Sequence, residues 1–325
     1  MKEGVVSVIV CCFNASGFIQ TCFESLLAQT YKRIEVVFVD DGSIDGSLEI
    51  AKEYESKFIS DGKSLICLRQ DNQGAGFACA NGLRHATGEY ISCFDVDDYL
   101  YPESIAKRVS FLESNKECSL VRTNGYMVGR DGKRCLFVTD ASEKYKEDIF
   151  ENLLLEKTNN WSGSYMVRAE VLWKLYPDHR LPGSRYGQNL QILMSVAWHN
   201  KAGFIDEPLM EYRFNPNSFT NRETDFKSSY ERIIGFKQIR KDILSTLGIS
   251  DHSLYDKLTL NCDKRIMDLC ISHNERAVYS SAYESAASIE SPGRVYKYFH
   301  YLYSGKTVKA SIMRVLLFLQ NHLHL

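Results

Sequence analysis

The sequence predicts an α/β protein, with a Rossmann-like mixed sheet flanked by helices and a helical C-terminal extension. Two observations lead to this prediction. Over the first hundred residues, short β-branched runs alternate with amphipathic stretches, and a polar cluster follows each run. From about residue 225 onward, helical patterns and aromatic residues dominate. We therefore expect an α/β domain over residues 1–220, built from halves 1–105 and 106–220, and a helical region over residues 221–325.

Four apolar runs predict the first four strands. They are "VVSVIVCCF", "IEVVFVD", "SLICLRQ" and "EYISCF", each short and continuous, as in strands buried on both faces. The stretches between them have helical spacing, with Asn14 or Ser16 available to cap the first helix and "DGSLEIAKEYESKF" predicted as the second. The order βαβαβαβ requires a parallel sheet.

The following residues predict a more mixed second half. "PESIAKRVSFLES" is predicted as a helix with Pro102 in its first turn, and "NLQILMSVAWHN" as another. Strands are predicted at "LVRTNGYMVG", "RCLFVTD", "SGSYMVR" and "GFIDEPLMEYRFN". No internal repeat and no low-complexity tract interrupts this pattern.

Composition indicates a soluble globular protein. Hydrophobic residues make up 44% of the 325 residues and charged residues 25%, and the net charge of −2 provides no basic field for nucleic acid. The ten cysteines form no CxxC pair, which favours a reducing compartment over a disulfide framework. The N-terminus has no signal-peptide pattern, and no apolar run reaches about 20 residues. We therefore expect a cytoplasmic location.

The polar clusters after the strands are predicted to converge. "CCFN", "VDDGS", "RQDNQG" and "FDVDD" follow the four strands, and ligands of such sheets bind beyond the carboxyl ends of the strands. Asp40-Asp41 can accept hydrogen bonds from a base or a ribose, or form an ordinary turn before a helix. Asn72, Gly74 and Gly76 are candidates for close backbone approach to a phosphate, although they form neither a GxGxxG motif nor a P-loop.

The stretch "GEYISCFDVDDYLYP" places Asp95, Asp97 and Asp98 directly after a buried strand. Crowded carboxylates repel one another unless a positive charge lies between them. Hard oxygen ligands spaced as Asp95-x-Asp97 suit Mg²⁺ or Mn²⁺ on phosphate oxygens. From the motif alone, a solvated turn before the Pro102 helix is an equally good interpretation.

The order of these motifs resembles the inverting GT-A glycosyltransferases of family 2. The resemblance is continuous from about Val5 to Ile105 and returns between Trp161 and Ser218. It implies a nucleotide-binding α/β domain merged with an acceptor half. It also implies transfer of a hexosyl or N-acetylhexosaminyl group, with inversion, from a nucleotide sugar, usually a UDP-sugar. In this family the acceptors are often glycans or lipid-linked molecules of cell-surface polysaccharide or lipopolysaccharide synthesis.

The resemblance assigns roles to several residues. Phe13-Asn14 matches the family's Tyr-Asn, whose ring stacks near the uracil, and Asp41 matches the uracil-binding aspartate. Asp95 matches the acid near ribose and metal, and Asp97 the metal ligand, so the implied cofactor is Mn²⁺ or Mg²⁺. Asp98 matches the acid that commonly follows, and we expect it to have a turn or capping role.

Two further places match the acceptor half of the family. Arg213, in "YRFNPNS", is the candidate phosphate contact, with an ordinary surface arginine as the alternative, and Asn215 stands where a histidine is common. Trp161, before Ser162 and Gly163, either faces the acceptor or packs in the core. His85, His179 and His199 have no metal-binding spacing.

The sequence also departs from the family. Cys11-Cys12 replace the Pro-Val that often ends the first strand, and Ala78-Cys79-Ala80 replace an Ala-Arg-Asn whose arginine can face the phosphates. We therefore expect donor binding to depend more on the metal.

The catalytic base is the larger departure. Inverting transfer needs a carboxylate to deprotonate the acceptor hydroxyl. The family's Glu-Asp pair corresponds here to Gln188-Asn189, and an amide is no base at neutral pH. The sequence therefore assigns no base. The nearby carboxylates that can replace it are Asp178, Asp206, Glu207 and Glu211.

Two other classes of protein compete with the transferase. A catalytically silent sugar-nucleotide-binding module is suggested by Gln188-Asn189. A Rossmann-like dehydrogenase requires a GxGxxG after the first strand, which "CCFNASG" lacks. The final stretch "GKTVKASIMRVLLFLQNHLHL" has Lys306, Lys309 and Arg314 beside an apolar face. It suits peripheral contact with an anionic membrane, or equally a packing or dimer contact.

Overall fold

The computed structural model of the chain describes residues 1–158, 161–216, 218, 225–305, 309–310 and 313. Its strands are β1 (Lys2–Cys12), β2 (Ile34–Asp40), β3 (Ser64–Arg69), β4 (Gly88–Asp95), β5 (Tyr99–Leu100), β6 (Cys118–Val128), β7 (Arg134–Leu136), β8 (Tyr165–Arg168) and β9 (Lys201–Arg213). Its helices are α1 (Ser16–Leu27), α2 (Ser47–Glu53), α3 (Glu55–Ser60), α4 (Ala75–Leu83), α5 (Ser104–Ser114), α6 (Ala141–Lys144), α7 (Phe150–Leu154), α8 (Ala169–Leu175), α9 (Leu190–Ala197), α10 (Phe226–Thr246), α11 (His252–His273), α12 (Arg276–Ile289) and α13 (Arg294–Tyr303).

The strands form one mixed sheet in the order β3-β2-β1-β4-β8-β6-β9-β5, with β7 paired to β6. The first four strands are parallel, as the sequence predicts. β8 joins β4 and β6 in antiparallel orientation, whereas β6 and β9 are parallel. The α/β class and the mixed sheet are therefore confirmed.

The register of the parallel strands aligns their carboxyl ends. Cys12 pairs with Asp40, Asp40 with Arg69, and Cys11 with Asp95. β2 is buried along its whole length and β1 from Val6 to Val10, because helices cover the sheet there. Phe23 of α1 is fully buried at the centre of this packing. The polar residues that follow each strand consequently lie along one edge of the sheet.

Several local predictions were wrong in detail. The N-cap of α1 is Ala15, without a side-chain cap, because Ser43, Ser47 and Asp45 accept the N–H groups of Asn14, Ala15 and Ser16. Neither Asn14 nor Ser16 is therefore the cap.

The predicted element boundaries also shift. The second predicted helix is split into α2 and α3 at Tyr54. The helix after Pro102 begins at Ser104, and of "RCLFVTD" only Arg134–Leu136 is a strand. Within the described residues β7 pairs only with β6, so its length is set by that pairing and is shorter than the local pattern predicts.

The chain divides into two compact units. The first comprises Met1–Arg222 with Asp242–Gly248, and the second Glu223–Lys241 with Ile249–Leu325. All ten cysteines are free, and Cys12, Cys22, Cys79 and Cys93 are buried as small apolar side chains. Among the described residues, no helix is long and apolar enough to cross a membrane. Most of the predicted amphipathic C-terminal stretch, including Lys306 and Arg314, lies outside the described residues.

Candidate functional site

The candidate site begins where β4 ends. Asp95 is the last residue of β4, and both Asp95 and Asp97 are partly exposed. Burial and the charge of Asp97 raise the pKa of Asp95 to about 6, although a hydrogen bond from Gln188 opposes the shift. Asp97 Oδ2 accepts a hydrogen bond of 2.9 Å from Asn215 Nδ2. Two carboxylates are thus held side by side at the edge of the sheet.

Asp98 is enclosed, unlike its two neighbours. Its side chain is 1% exposed, and Oδ1 accepts a hydrogen bond of 3.0 Å from the backbone N–H of Arg213. Oδ2 is buried with no hydrogen-bond partner among the described residues. Burial and the charge of Asp95 raise the pKa of Asp98 well above its usual range. Asp98 therefore connects the turn after β4 to the end of β9, in agreement with the expected turn role.

Gln188 and Asn189, the two amides at the family's base position, lie at this site. Gln188 Nε2 donates to Asp95 Oδ1 and, at 2.7 Å, to Ser162 Oγ. Asn189 Oδ1 accepts from Ser162 Oγ at 3.0 Å and from Tyr165 OH at 2.8 Å. Ser162 and Tyr165 are both buried. The segment before α9 thus contacts Asp95 directly.

Asp41 is buried beneath the loop that precedes α4. Its carboxylate accepts hydrogen bonds from Gln70 Nε2 at 2.8 Å, Gln73 N at 3.0 Å and Gly74 N at 2.8 Å. The structure thus gives Asp41 an architectural function, since it fixes the start of α4. Its assignment to the uracil stays a prediction.

Gly74 and Gly76 are not available for phosphate approach in the way the sequence suggests. A Cβ at Gly74 would lie 2.7 Å from Arg185 O, and the Gly74 φ of +104° is itself unfavourable for other residues. A Cβ at Gly76 would overlap Ser184 O and lie 3.0 Å from Tyr186 O. The chain's own 184–187 segment occupies the space in front of both glycines.

We expect Gly76→Ala to destabilise the first unit by about 1–3 kcal/mol, because backbone atoms must move to admit the methyl group. Helix propensity alone predicts the opposite sign, a gain of up to about 1 kcal/mol. The displaced segment should also be cleaved faster by trypsin after Arg185. Both quantities can be measured by chemical denaturation and by a proteolysis time course.

Gly17→Ala is the matched control. Gly17 is likewise the second residue of its helix, but a methyl group at this position would have no neighbouring atom within 4 Å. The substitution should be neutral or stabilising, with unchanged cleavage after Arg185. Equal effects of the two substitutions would contradict the packing argument.

Phe13 and Asn14 lie in the loop between β1 and α1. Phe13 is 50% exposed, so its ring is open to a planar partner. Asn14 has a φ of +49°, and its Oδ1 accepts a hydrogen bond from the N–H of Ile44. This loop and the loop after β2 therefore hold each other in place beside Asp41.

Arg213 is engaged within the protein. Its Nε and Nη2 donate to Glu211 Oε2 at 3.0 and 2.9 Å, and its guanidinium lies over the ring of Tyr99. Arg134 binds the other oxygen of Glu211 at 2.6 Å. A phosphate contact by Arg213 stays a prediction, and it requires competition with Glu211.

The four carboxylates considered as replacement bases are all paired. Asp178 lies near Arg180 at 3.9 Å, and Glu207 contacts Lys107 at 2.5 Å. Hydrogen bonds from Lys144 and Asn124 lower the pKa of Asp206. Burial would raise the pKa of Glu211, but hydrogen bonds from Tyr101 and Arg213 outweigh it and lower the pKa. The lowered pKa makes Asp206 and Glu211 weaker bases, since their charged forms are stabilised.

Sequence reasoning missed Arg185. Its side chain is exposed and, within the described part of the chain, has no hydrogen-bond or ion-pair partner. Its backbone lies against Gly74, whose N–H binds Asp41, and Gln188 three residues later binds Asp95. The backbone of Arg185 therefore lies between the segments that bind Asp41 and Asp95, the two predicted ends of a nucleotide site. No local pattern marks it, because the position depends on how the 184–187 segment packs.

Trp161 packs among aromatic side chains. Its indole stacks on Tyr212 with ring centroids 5.5 Å apart and meets Phe137 edge to face. These contacts favour the prediction that Trp161 packs in the core, although the residue is partly exposed. The position next to Ser162 also places it beside the Gln188 network.

Asp95 and Asp97 suit a divalent cation that is completed by substrate. No group of three or more His, Cys, Asp or Glu side chains able to hold a metal ion occurs among the described residues. Mg²⁺ and Mn²⁺ are commonly bound by one or two carboxylates together with phosphate oxygens. The hard oxygen donors and their mutual repulsion match that chemistry.

Comparison with known proteins defines the family. The profile of glycosyl transferase family 2 matches residues 7–176, which is more than half of the chain. EpsE of Bacillus subtilis strain 168 is 36% identical over 218 residues, covering 67% of this chain and 76% of EpsE. The chain belongs to glycosyl transferase family 2.

Two further comparisons extend this result. EpsH of Bacillus subtilis strain 168 is 28% identical over 232 residues, which cover 68% of this chain and 64% of EpsH. A crystal structure of Staphylococcus aureus TarS 1–349 in complex with UDP-GlcNAc has a TM-score of 0.55 at 17% identity and covers 95% of this chain and 90% of that one. The TarS comparison supports the fold.

Proposed function

We propose that this protein transfers a sugar from a UDP-sugar to a glycan or lipid-linked acceptor, with inversion at the anomeric carbon. The observation that carries the proposal is the position of Asp95 and Asp97 beside each other on the edge of the sheet. Asp41 lies at the same edge of the sheet, directly after β2, and β1 separates β2 from β4. A related fold was crystallised with UDP-GlcNAc, which agrees with a uridine nucleotide.

Each part of the donor has a proposed contact. Phe13, Asn14 and Asp41 lie where the nucleobase would bind, and Asp95 and Asp97 would hold Mn²⁺ or Mg²⁺. When bound, the divalent ion neutralises the diphosphate and so stabilises the departing UDP. The protein's own residues fix the geometry, since Gln188 and Asn215 hold the two carboxylates.

Arg185 is a proposed diphosphate contact. Cys79, at the position of the family's arginine, is buried, and its Sγ lies 3.4 Å from Cys93 Sγ, so that place offers no charge to a phosphate. Arg69 is paired with Asp40, and Arg213 with Glu211. Within the described residues, Arg185 is left as an unpaired cation at the edge, and guanidinium groups bind phosphate oxygens well.

The biological setting extends the proposal further. We place residues 1–220 as the catalytic domain and residues 221–325 as a helical region that contacts the membrane or another protein. Synthesis of a cell-surface polysaccharide or lipopolysaccharide in the cytoplasm, at the inner face of the membrane, is the setting that the family resemblance favours.

A catalytically silent sugar-nucleotide-binding protein is the second candidate. It is favoured by the amides of Gln188 and Asn189 at the position of the base and by the pairing of the four nearby carboxylates. Release of UDP from a UDP-sugar that depends on an added acceptor would exclude it.

The proposal is tested by calorimetric titration of UDP into the wild-type protein with Mn²⁺ or with EDTA. We expect binding with Mn²⁺ that is weakened at least about tenfold by EDTA, because the cation completes the diphosphate site. Arg185→Ala should weaken binding about 10- to 100-fold, the effect of losing one charge-assisted contact.

Arg84→Ala is the control for Arg185→Ala. Arg84 is exposed at the C-terminus of α4 and, within the described residues, has no side-chain partner. Its loss should leave UDP affinity unchanged. Absence of UDP binding to the wild type under both conditions would overturn the proposed function.

A further inference from the structure

We propose that Gln188 is the positioning residue for Asp95, and that its amide has to be a hydrogen-bond donor. This inference rests on the proposed function, because it concerns the carboxylate that would hold the divalent ion. The inference is supported by a chain of hydrogen bonds in which the donor and the acceptor of each bond can be assigned. That chain runs from Asp95 through Gln188 and Ser162 to Asn189.

The direction of each hydrogen bond follows from the groups involved. An ionised carboxylate only accepts, so the Gln188 side chain must donate to Asp95. Ser162 has a single hydroxyl proton, which it donates to Asn189 Oδ1. Gln188 must therefore donate to Ser162 as well, and its NH₂ group has the two protons that these contacts need.

Asn189 acts as a hydrogen-bond acceptor, whereas Gln188 acts as a donor. Its Oδ1 accepts from two hydroxyl groups, those of Ser162 and Tyr165. A carboxylate oxygen at this position can accept both bonds equally well. Two adjacent amides thus have different functions, since Gln188 acts as a donor and Asn189 as an acceptor.

The consequence concerns the cation site. Gln188 Nε2 fixes one oxygen of Asp95, which restricts the carboxylate to one orientation and leaves its remaining lone pairs for a cation. Ser162, which is 1% exposed, in turn fixes Gln188. Partners that orient a metal ligand in this way commonly change metal affinity about 10- to 100-fold when they are replaced.

The isosteric pair Gln188→Glu and Asn189→Asp tests this inference. Each substitution adds one negative charge at adjacent positions and restores one acid of the family's Glu-Asp pair. Gln188→Glu sets a carboxylate against Asp95 and should weaken Mn²⁺ binding in the presence of UDP about 10- to 100-fold. Asn189→Asp keeps both hydroxyl contacts and should remain within about twofold of the wild type.

Free Mn²⁺ in a titration of the full chain, followed by electron paramagnetic resonance, gives these affinities without any turnover. Tryptophan fluorescence during denaturation reports whether each variant is folded. If Gln188→Glu fails to fold, Gln188→Met removes the donor without adding charge and should still weaken Mn²⁺ binding. A merely structural function would lower the stability of this variant and leave the Mn²⁺ affinity of its folded fraction unchanged.

Several outcomes separate this inference from the proposed function. Wild-type protein that binds no Mn²⁺ with UDP overturns both. Wild-type binding together with equal affinities for the wild type and Gln188→Glu overturns the inference alone. Equal weakening by Gln188→Glu and Asn189→Asp also overturns it, because added charge and not donor direction would then be the cause.

Discussion

Replacing Asp97 with asparagine is expected to lower UDP release from a UDP-sugar by at least about 100-fold, since a divalent ion contributes several kcal/mol of charge stabilisation. Mn²⁺-dependent UDP binding should be lost as well. The substitution is nearly isosteric, and the new side-chain oxygen can still accept from Asn215, whose bond to Asp97 is 2.9 Å long. The effect therefore isolates the charge of Asp97. A coupled assay for released UDP and calorimetry measure the two quantities.

Asp131→Asn is the matched control for Asp97→Asn. Asp131 lies in the turn between β6 and β7 and forms an exposed ion pair with Lys133. It undergoes the same change in charge, and we expect turnover and Mn²⁺ dependence to match the wild type. Retention of Mn²⁺-dependent binding by Asp97→Asn would remove Asp97 from the cation site.

Replacing Phe23 with alanine is expected to lower the free energy of unfolding of the first unit by about 3–5 kcal/mol. Phe23 is fully buried, and its ring meets Phe38, Tyr54 and Phe58 edge to face at centroid distances of 5.4–5.6 Å. Its loss leaves a cavity between α1, β2 and the helices that follow it. Three aromatic contacts disappear with the side chain.

Tryptophan fluorescence during chemical denaturation measures this effect selectively. The three tryptophans of the chain are at positions 161, 173 and 198, all within the first unit together with Phe23. Ile59→Ala is the control, because Ile59 is 71% exposed and should change stability by no more than about 0.5 kcal/mol. A loss below about 1 kcal/mol for Phe23→Ala would show that the site collapses around the cavity.

Much of the fold was predictable because its signals are local. Continuous β-branched runs define β1, β2 and β4, and the alternation with helices requires their parallel order. The same alternation places Asp41 and Asp95 after strand ends, since carboxyl ends of parallel strands meet at one edge. Short elements such as β7 were less predictable, because pairing at one side determines their length.

The sequence did not predict whether each site residue is free to bind a ligand or is already in contact with another part of the protein. Arg213 was expected to be available to phosphate, yet it pairs with Glu211. Gly74 and Gly76 were expected to approach a ligand, yet the 184–187 segment fills that space. Glu211 is only two residues from Arg213, but their contact depends on how the side chains at the end of β9 are oriented. The 184–187 segment is far from the glycines in sequence, so only the folded chain brings it to them.

The class of fold, the family and the two carboxylates after β4 follow from the amino-acid sequence, because periodicity and short motifs encode these features within a few residues. The tertiary structure alone decided that Gln188 donates to Asp95, a contact between residues 93 positions apart. The physical reason is that a hydrogen bond requires its two groups to meet at a defined distance and direction. For residues far apart in sequence, only the packing of the sheet and its loops sets that geometry.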